Sequence, residues 1–178
     1  MDSTAPRDRP LTYGHLEPDW FVSGERTMLE TMLDVQRSAV AELLTGLDDA
    51  AARARLVPSL TTPLSLVKHA TFVEKVWFHS RVAGVARSDL GLPDDVEASF
   101  VLVPDDTVAS VREAFLAACE VSRRIAVDHD LDEEFPWHRG PVSLRFIYLH
   151  MIAELAQHVG HGDILVEQLA AGGAPTRG

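Results

Sequence analysis

The sequence predicts an all-α fold, a four-helix bundle with long crossing loops. Apolar residues recur at helical spacing in four long segments. N-capping residues precede these segments, and glycines follow several of them. Two longer polar stretches separate the later helices. Four long helices joined in this way are typical of a bundle, and bundle cores are where such proteins place metal ions.

The first long helix is predicted over residues 23 to about 47. Before it, residues 1–22 are rich in proline and aromatic residues, and we expect an extended segment that lies over the domain. Within the helix, apolar side chains fall on one face: Met28, Met32, Val35, Ala39, Leu43 and Leu47. The segment "DDAAARARL" fits a short helix that stops before Pro58.

The second long helix has a clear start. Thr62 is a good N-cap, and Pro63 fits the first helical position, where its missing N–H is no loss. We expect this helix to run to Gly84. Residues 85–105 then form a loop rich in aspartate and proline, interrupted by the β-favouring "SFVLV" at 99–103, where we expect any strand. A loop of this length crosses the bundle or flanks a site.

The third and fourth long helices complete the bundle. The third opens at Asp106 or Thr107 and ends near Asp130. After the polar loop "LDEEFPWHRGP", Ser143 caps the last helix, which extends to Ala171. We therefore divide the chain into an extended N-terminal segment (1–22), the bundle domain (23–171) and a flexible tail (172–178).

Charge and composition exclude several classes of function. The chain has 178 residues, a net charge of -11 and a pI near 5.0, which disfavours binding to a nucleic-acid backbone. No apolar run approaches the ~20 residues of a membrane span, and the first residues lack the apolar centre of a signal peptide. The single cysteine, Cys119, suits a reducing compartment, so we predict a cytoplasmic protein in which Cys119 is buried filler.

One stripe of the last helix carries four side chains that can bind metals. In "HMIAELAQHVGH" they lie within about 80° of one another around the helix axis. The stripe also carries apolar residues, so we expect it to face the core. The four side chains are His150, Glu154, His158 and His161.

A fifth candidate ligand lies on the second helix. His69 shares a face with Leu66 and Val73, so it also points inward. Polar groups buried on both helices without partners would cost several kcal/mol, and one divalent cation would satisfy them together. The other interpretation is a solvated groove that carries unrelated histidines. The residues alone leave both interpretations open.

Three segments resemble the DinB-like superfamily, most closely its actinobacterial branch of mycothiol-dependent transferase-like proteins. They are "ERTMLETMLDVQR", "TTPLSLVKHATFVEKVWF" and "PVSLRFIYLHMIAELAQHVGHGDILVEQL", and the resemblance extends over about 23–171. It implies a four-helix bundle of DinB-like type that holds a divalent metal. Zn is expected first, with Ni, Mn or Fe as alternatives.

The resemblance also implies which residues bind the metal. One family ligand is a histidine on the second helix, here His69. The other two come from a His-x-x-x-His pair on the last helix, where this chain has Glu154 and His158. Glutamate at the first position is similar to the mycothiol-dependent maleylpyruvate isomerase branch. His161 stands where the family has a glutamine, and we expect either a fourth ligand or a replacement for Glu154.

A metal with three protein ligands keeps open positions, which is the catalytic arrangement. The resemblance therefore implies a metal-dependent transferase that activates a low-molecular-weight thiol, such as mycothiol as co-substrate, for attack on a small electrophile. Two alternatives stay open. One is a metal-dependent isomerase or hydrolase, and the other is a non-catalytic metal-binding or dimerising protein.

Residues around the metal have more than one interpretation each. His150 is a candidate catalytic proton carrier, a hydrogen-bond partner of the ligands, or part of the core. Arg139 and Arg145 are candidates for binding the thiol, or they belong to a solvated loop.

Other polar and aromatic residues are predicted to be structural. Trp77 and Tyr148 are expected in the core, and Lys68 and Glu74 on a solvated face of the second helix. The predicted partners are a small-molecule substrate and a second copy of the chain, with no nucleic acid and no membrane. The homodimer is expected because the first and third helices carry more apolar positions than one internal seam requires.

Overall fold

The computed structural model describes residues 11–172 and confirms an all-α fold. Short 3-10 turns at Tyr13–His15, Pro18–Val22 and Glu97–Phe100 accompany the helices. Helix α1 packs mainly on α5, α3 packs on α4, and α3 also contacts α5, which closes the bundle. The helices are α1 (Glu25–Glu42), α2 (Asp49–Ala52), α3 (Pro63–Glu74, continued by a π-helix over Lys75–Val82), α4 (Val108–Ala126) and α5 (Leu144–Ala170).

The predicted caps are confirmed. Thr62 and Ser65 form a capping box at the start of α3, in which each side-chain oxygen accepts a hydrogen bond from the backbone N–H of the other residue. Thr107 and Ser110 do the same at α4. The Ser143 hydroxyl accepts from the backbone N–H of Phe146 at the start of α5. These caps satisfy N–H groups that have no partner within the helix.

The second long helix is not a regular α-helix to its end. Residues Lys75–Val82 form a π-helix, and Gly84 follows with a φ of 71°. A π-helix has more residues per turn than an α-helix, so the buried face shifts along the sequence. Trp77 and Phe78 are buried there, whereas Val76 is only partly buried.

The prediction of a strand at 99–103 was wrong. Residues 97–100 form a 3-10 turn, and the described strands are Glu134–Phe135 and Val142–Ser143, which pair antiparallel. Phe135 and Val142 are buried, so this hairpin closes on the core at the start of α5.

The N-terminal lead-in is not uniformly extended, because two 3-10 turns interrupt residues 11–22. The rest of the lead-in, residues 1–10, and the predicted flexible tail from 173 onwards lie outside the described residues. Within 11–172, no helix has both the length and the hydrophobicity for a membrane crossing.

Helices α1 and α5 approach closely at Gly162. A Cβ atom at this position would lie 2.4 Å from Cδ1 of Leu43, closer than van der Waals contact allows. Leu43 is buried, so it has little room to move away. A glycine inside α5 therefore sets the spacing of these two helices.

Glu74 does not lie on a solvated face as predicted. It is fully buried and accepts two hydrogen bonds from Arg37 of α1, from Nε at 2.8 Å and from Nη2 at 2.8 Å. Arg37 is itself 4% exposed, so both charges are removed from water and depend on each other. Lys68 is partly buried and pairs with Asp106 at 2.7 Å.

We predict that Glu74→Gln destabilises the fold by about 3 kcal/mol, because it leaves the buried Arg37 charge with only the partly exposed Asp34 as a counter-charge, 3.1 Å from Nη1. Urea unfolding followed by circular dichroism measures the change. Glu120→Gln is the control, since Glu120 is exposed and forms a surface pair with Arg123. Its expected cost is at most about 1 kcal/mol. Equal shifts for the two variants would contradict the role of the buried pair.

Candidate metal centre

Three side chains from two helices converge in the bundle. His69 comes from α3, and Glu154 and His158 come from α5. Their candidate ligand atoms all lie within 4.8 Å of one another. Glu154 Oε1 is 3.5 Å from His69 Nε2 and 3.1 Å from His158 Nε2. The spacing of four residues between Glu154 and His158 places both on one face of α5.

Ser99 fixes the orientation and the tautomer of His69. The Ser99 hydroxyl donates to the carbonyl of Val96, so its oxygen accepts from His69 Nδ1–H at 2.7 Å. With Nδ1 protonated, a neutral His69 has a bare Nε2 with a free electron pair. This electron pair is directed at the carboxylate of Glu154.

The protonation states of the cluster suit a cation. Burial lowers the pKa of His69, which favours the neutral ring. The hydrogen bond from His158 is the largest cause that holds the pKa of Glu154 well below its usual range. A bare ring nitrogen and an ionised carboxylate therefore face each other. Two electron-rich atoms in this position repel unless a proton or a metal ion lies between them.

His158 also has a ring nitrogen without a hydrogen-bond partner in the described part of the chain. Its Nδ1 atom is buried and has no hydrogen-bond partner among residues 11–172. Its ring lies edge-on to that of His69, with 4.7 Å between the centroids. Buried polar atoms in proteins are normally paired, so an orphaned ring nitrogen beside the cluster is unusual.

The three residues fit a divalent metal. Nitrogen and oxygen ligands lie about 2.0–2.2 Å from zinc, which places tetrahedral ligand atoms roughly 3.4 Å apart. The separations of 3.5 Å and 3.1 Å around Glu154 Oε1 are close to this value. Two imidazoles and one carboxylate also form a donor set that borderline metals accept.

His161 lies outside this group. Its side chain is exposed, and its ring centroid is 6.1 Å from that of His158. The structure thus brings together three of the four predicted ligands. The inner wall beside His69 is instead formed by Phe100, whose ring stacks on the imidazole at 4.0 Å.

The three predicted supporting residues occupy different surroundings. His150 is half-buried, with its ring 4.3 Å from Trp77, and burial lowers its pKa. Arg139 lies over the ring of Trp137, on the loop before α5. Arg145 is occupied by Glu25, at 2.6 Å from Nε to Oε1, and by Asp132.

Three residues near the centre were missed by sequence reasoning. Ser99 and Phe100 hold His69, and the only signal for them was the unusual length of the loop after Gly84. Arg81 follows Trp77 on the π-helix and stacks on its ring at 3.9 Å. One of its guanidinium nitrogens, Nη1, is buried without a partner in the described chain.

A helical bundle with a histidine on its second long helix and a spaced pair of ligand residues on its last helix is the arrangement of the DinB-like class. The chain belongs to the mycothiol-S-transferase family of this class, because the sequence model of that family matches residues 28–171. The DinB-like resemblance is thereby confirmed. A search of curated proteins gives no match. The family connects the chain with a mycothiol-related transferase and a small-molecule substrate.

We predict that the metal-free protein holds His69 in the Nδ1–H tautomer, because the Ser99 hydroxyl gives its proton to the carbonyl of Val96 and its oxygen then accepts from this nitrogen. Long-range ¹H–¹⁵N spectra of the histidine rings distinguish the tautomers. Ser99→Ala should convert His69 to a mixture of tautomers, since the accepting oxygen is lost. Ser88→Ala, in the same loop and exposed, is the matched control and should leave the spectrum of His69 unchanged. An Nε2–H tautomer in the unmodified protein would refute the assignment.

Proposed function

We propose that this chain is a metal-dependent transferase that uses a mycothiol-like thiol to attack a small electrophile, with one divalent metal, Zn first, held by His69, Glu154 and His158. One observation carries the proposal. Nε2 of His69 and Nε2 of His158 lie 3.5 Å and 3.1 Å from the same carboxylate oxygen of Glu154, so one divalent cation at this point would satisfy all three groups. The family supports the transferase class.

The chemistry that a bound metal would supply is activation of the thiol. A divalent ion with three protein ligands keeps open positions and lowers the pKa of a thiol bound there. The protein residues orient the ligands. Ser99 and Phe100 hold the ring of His69 on two sides, and the helix holds Glu154 and His158 four residues apart. Rigid ligands keep a metal site in its catalytic geometry.

His150 is the proposed proton acceptor. It lies one turn before Glu154 on the same face of α5. Burial lowers the pKa of His150, so the ring is neutral at pH 7 and can take the proton that a thiol loses on activation. Its contact with Trp77 limits the orientations of the ring.

The thiol-binding residues and the role of His161 stay proposals. Arg139 is exposed on the loop before α5 and is the better placed arginine for a bound thiol. The two carboxylates on Arg145 count against a direct role for that residue. His161 would have to rotate from its exposed position to become a fourth ligand or to replace Glu154.

The homodimer also stays a prediction, but its premise changes. Among the described α-helices, α4 and α5 expose large apolar side chains, for example Leu116, Leu149 and Ile164. Helix α1 exposes none. A pairing face on α4 or α5 therefore replaces the predicted face on α1. Cytoplasmic location is likewise a prediction that depends on the reducing conditions inferred for Cys119.

We predict that the protein binds one equivalent of Zn²⁺ and that His69→Ala or His158→Ala abolishes this binding. Elemental analysis after dialysis measures the metal content. Ser99→Ala should weaken binding about 10–100-fold, because it releases the orientation of His69. Affinity should also fall as the pH drops through the lowered pKa of His69, since a proton then competes with the metal for its ring.

Two histidines serve as matched controls for the metal analysis. His79 donates from Nε2–H to the carbonyl of Ala118, and His129 pairs with Glu133. Alanine at either position should leave the metal content at one equivalent. Full occupancy in the His69→Ala, His158→Ala double variant would show that the three residues form no metal site.

We predict that the Zn-loaded protein consumes mycothiol in the presence of a suitable electrophile and that His150→Ala slows the reaction about 100-fold with unchanged metal content. A thiol reagent follows the reaction across a panel of electrophiles. Cys119, the only cysteine of the chain, does not interfere, because it is 1% exposed and burial raises its pKa. A metal-loaded protein that is inert with every electrophile would favour the non-catalytic metal-binding alternative. Thiol-independent turnover of a substrate would favour an isomerase or hydrolase.

A further inference from the structure

A cleft lies on the other side of the turn that holds His69. It has a volume of about 820 Å³ and is bounded by α3, α4 and the loop between them. Its walls are mainly apolar and include Phe72, Leu92, Val103 and Val111. Ser99 also lines the cleft, so the cleft and the metal centre share the Glu97–Phe100 turn as a wall. A volume of this size is typical of small-molecule sites.

Both lysines of the chain line this cleft. The sequence contains fourteen arginines but only two lysines, Lys68 and Lys75, and these are two turns apart on one face of α3. The chain as a whole carries a net charge of -11. The two lysines therefore give this cleft a local positive charge on an acidic protein.

Only one of these two charges is neutralised. Lys68 Nζ is 2.7 Å from a carboxylate oxygen of Asp106 and 2.8 Å from the carbonyl oxygen of Val101. Asp106 is the acidic residue among those that line the cleft. Its charge is balanced by Lys68, so it is not available to a second cation.

Lys75 has no such partner. Its neighbour Glu74 is turned away and is held by both nitrogens of the Arg37 fork. Within residues 11–172, no carboxylate lies within ion-pair distance of Lys75. Its side chain is half-buried at the edge of an apolar wall. The cleft thus presents one uncompensated cation beside a large apolar surface.

We infer that the cleft binds a small amphipathic anion, a molecule with an apolar body and a single carboxylate or sulfonate group. The body lies against Phe72, Leu92 and Val111, where it is removed from water. The anionic group of the ligand pairs with Lys75 and supplies the negative charge that the lysine lacks. This site is separate from the metal centre and does not depend on the proposed transferase activity.

A pair of fluorescent dyes tests the inference. 8-Anilinonaphthalene-1-sulfonate carries a sulfonate, and N-phenyl-1-naphthylamine has the same ring system without the charge. Titration of the full chain, in EDTA so that metal plays no part, should show one saturable site with tighter binding of the anionic dye. Lys75→Met should weaken the anionic dye about five- to tenfold and leave the neutral dye unchanged.

Matched variants test whether the dyes bind in the cleft. Ala114 is an exposed residue of α4 that lines the cleft, and Ala117 is exposed one turn further along but does not line it. Ala114→Trp should abolish binding of both dyes, whereas Ala117→Trp should not change it. Arg124→Met removes a positive charge outside the cleft and is the control for Lys75→Met. Circular dichroism and the Tm of each variant confirm that the fold is kept.

Several outcomes would overturn the inference. They are dye binding that survives Ala114→Trp, an equal loss of both dyes in Lys75→Met, and a loss of the anionic dye in Arg124→Met. Absence of saturable binding of either dye to the full chain would also overturn it.

The scarcity of lysine allows an independent check. Reductive methylation with ¹³C-formaldehyde labels the two lysines and the N-terminal amine, and it keeps the positive charge. The anionic dye should shift the signal of Lys75, assigned by its absence in Lys75→Met, more than that of Lys68. A larger shift at Lys68, or at the N-terminus alone, would contradict the proposed contact.

Discussion

The buried ion pair between Arg37 and Glu74 fixes the rotation of α3, and the functional parts of the structure depend on that rotation. Glu74 is the last residue of α3 before the π-helix, and it is held to α1 by two hydrogen bonds of 2.8 Å. With about 100° per residue, Lys75 then lies about 100° from Glu74 around the helix axis, and His69 about 140° away. One helix therefore directs Glu74 to α1, Lys75 to the cleft and His69 to α5.

Glu74, His69 and Lys75 lie along α3 and its π-helical continuation, and each is accommodated in a different way. Glu74 has a fully buried counter-charge. His69 donates to Ser99 and directs its other nitrogen at Glu154. Lys75 keeps its charge at the edge of the cleft. Because burial of an unpaired charge is costly, the first arrangement is structural, whereas the other two leave capacity for a metal ion or an anion.

Most of the fold was predictable, because helix ends and apolar spacing are local properties of the sequence. Thr62, Thr107 and Ser143 marked the starts of three helices, and all three form the expected caps. The π-helix at Lys75–Val82 was not predicted, because a period of 3.6 residues was applied to the whole segment. Nothing in the residue types of this segment explains the change of helix type.

The candidate site was predictable where its residues lie on an inward helix face or match the family pattern. Glu154 and His158 form a spaced pair, and His69 was found through the family resemblance and its inward face. Ser99 was missed because a serine in a loop carries no periodic signal, and its hydrogen bond to His69 crosses thirty positions of the chain. The burial of Glu74 was missed for a similar reason, since its partner Arg37 lies on a different helix.

Gly162, inside α5, affects how α5 aligns with α1. Because a Cβ at this position would lie 2.4 Å from Cδ1 of Leu43, any larger residue would force the buried Leu43 side chain at the end of α1 to move. If α5 slipped by one residue along its axis, the side chain of His161 or Asp163 would have to occupy that space. The same slip would carry Glu154 and His158 about 1.5 Å along the bundle and rotate them away from His69. Gly162 thus favours one alignment of α5 along the bundle, the alignment in which Glu154 and His158 meet His69.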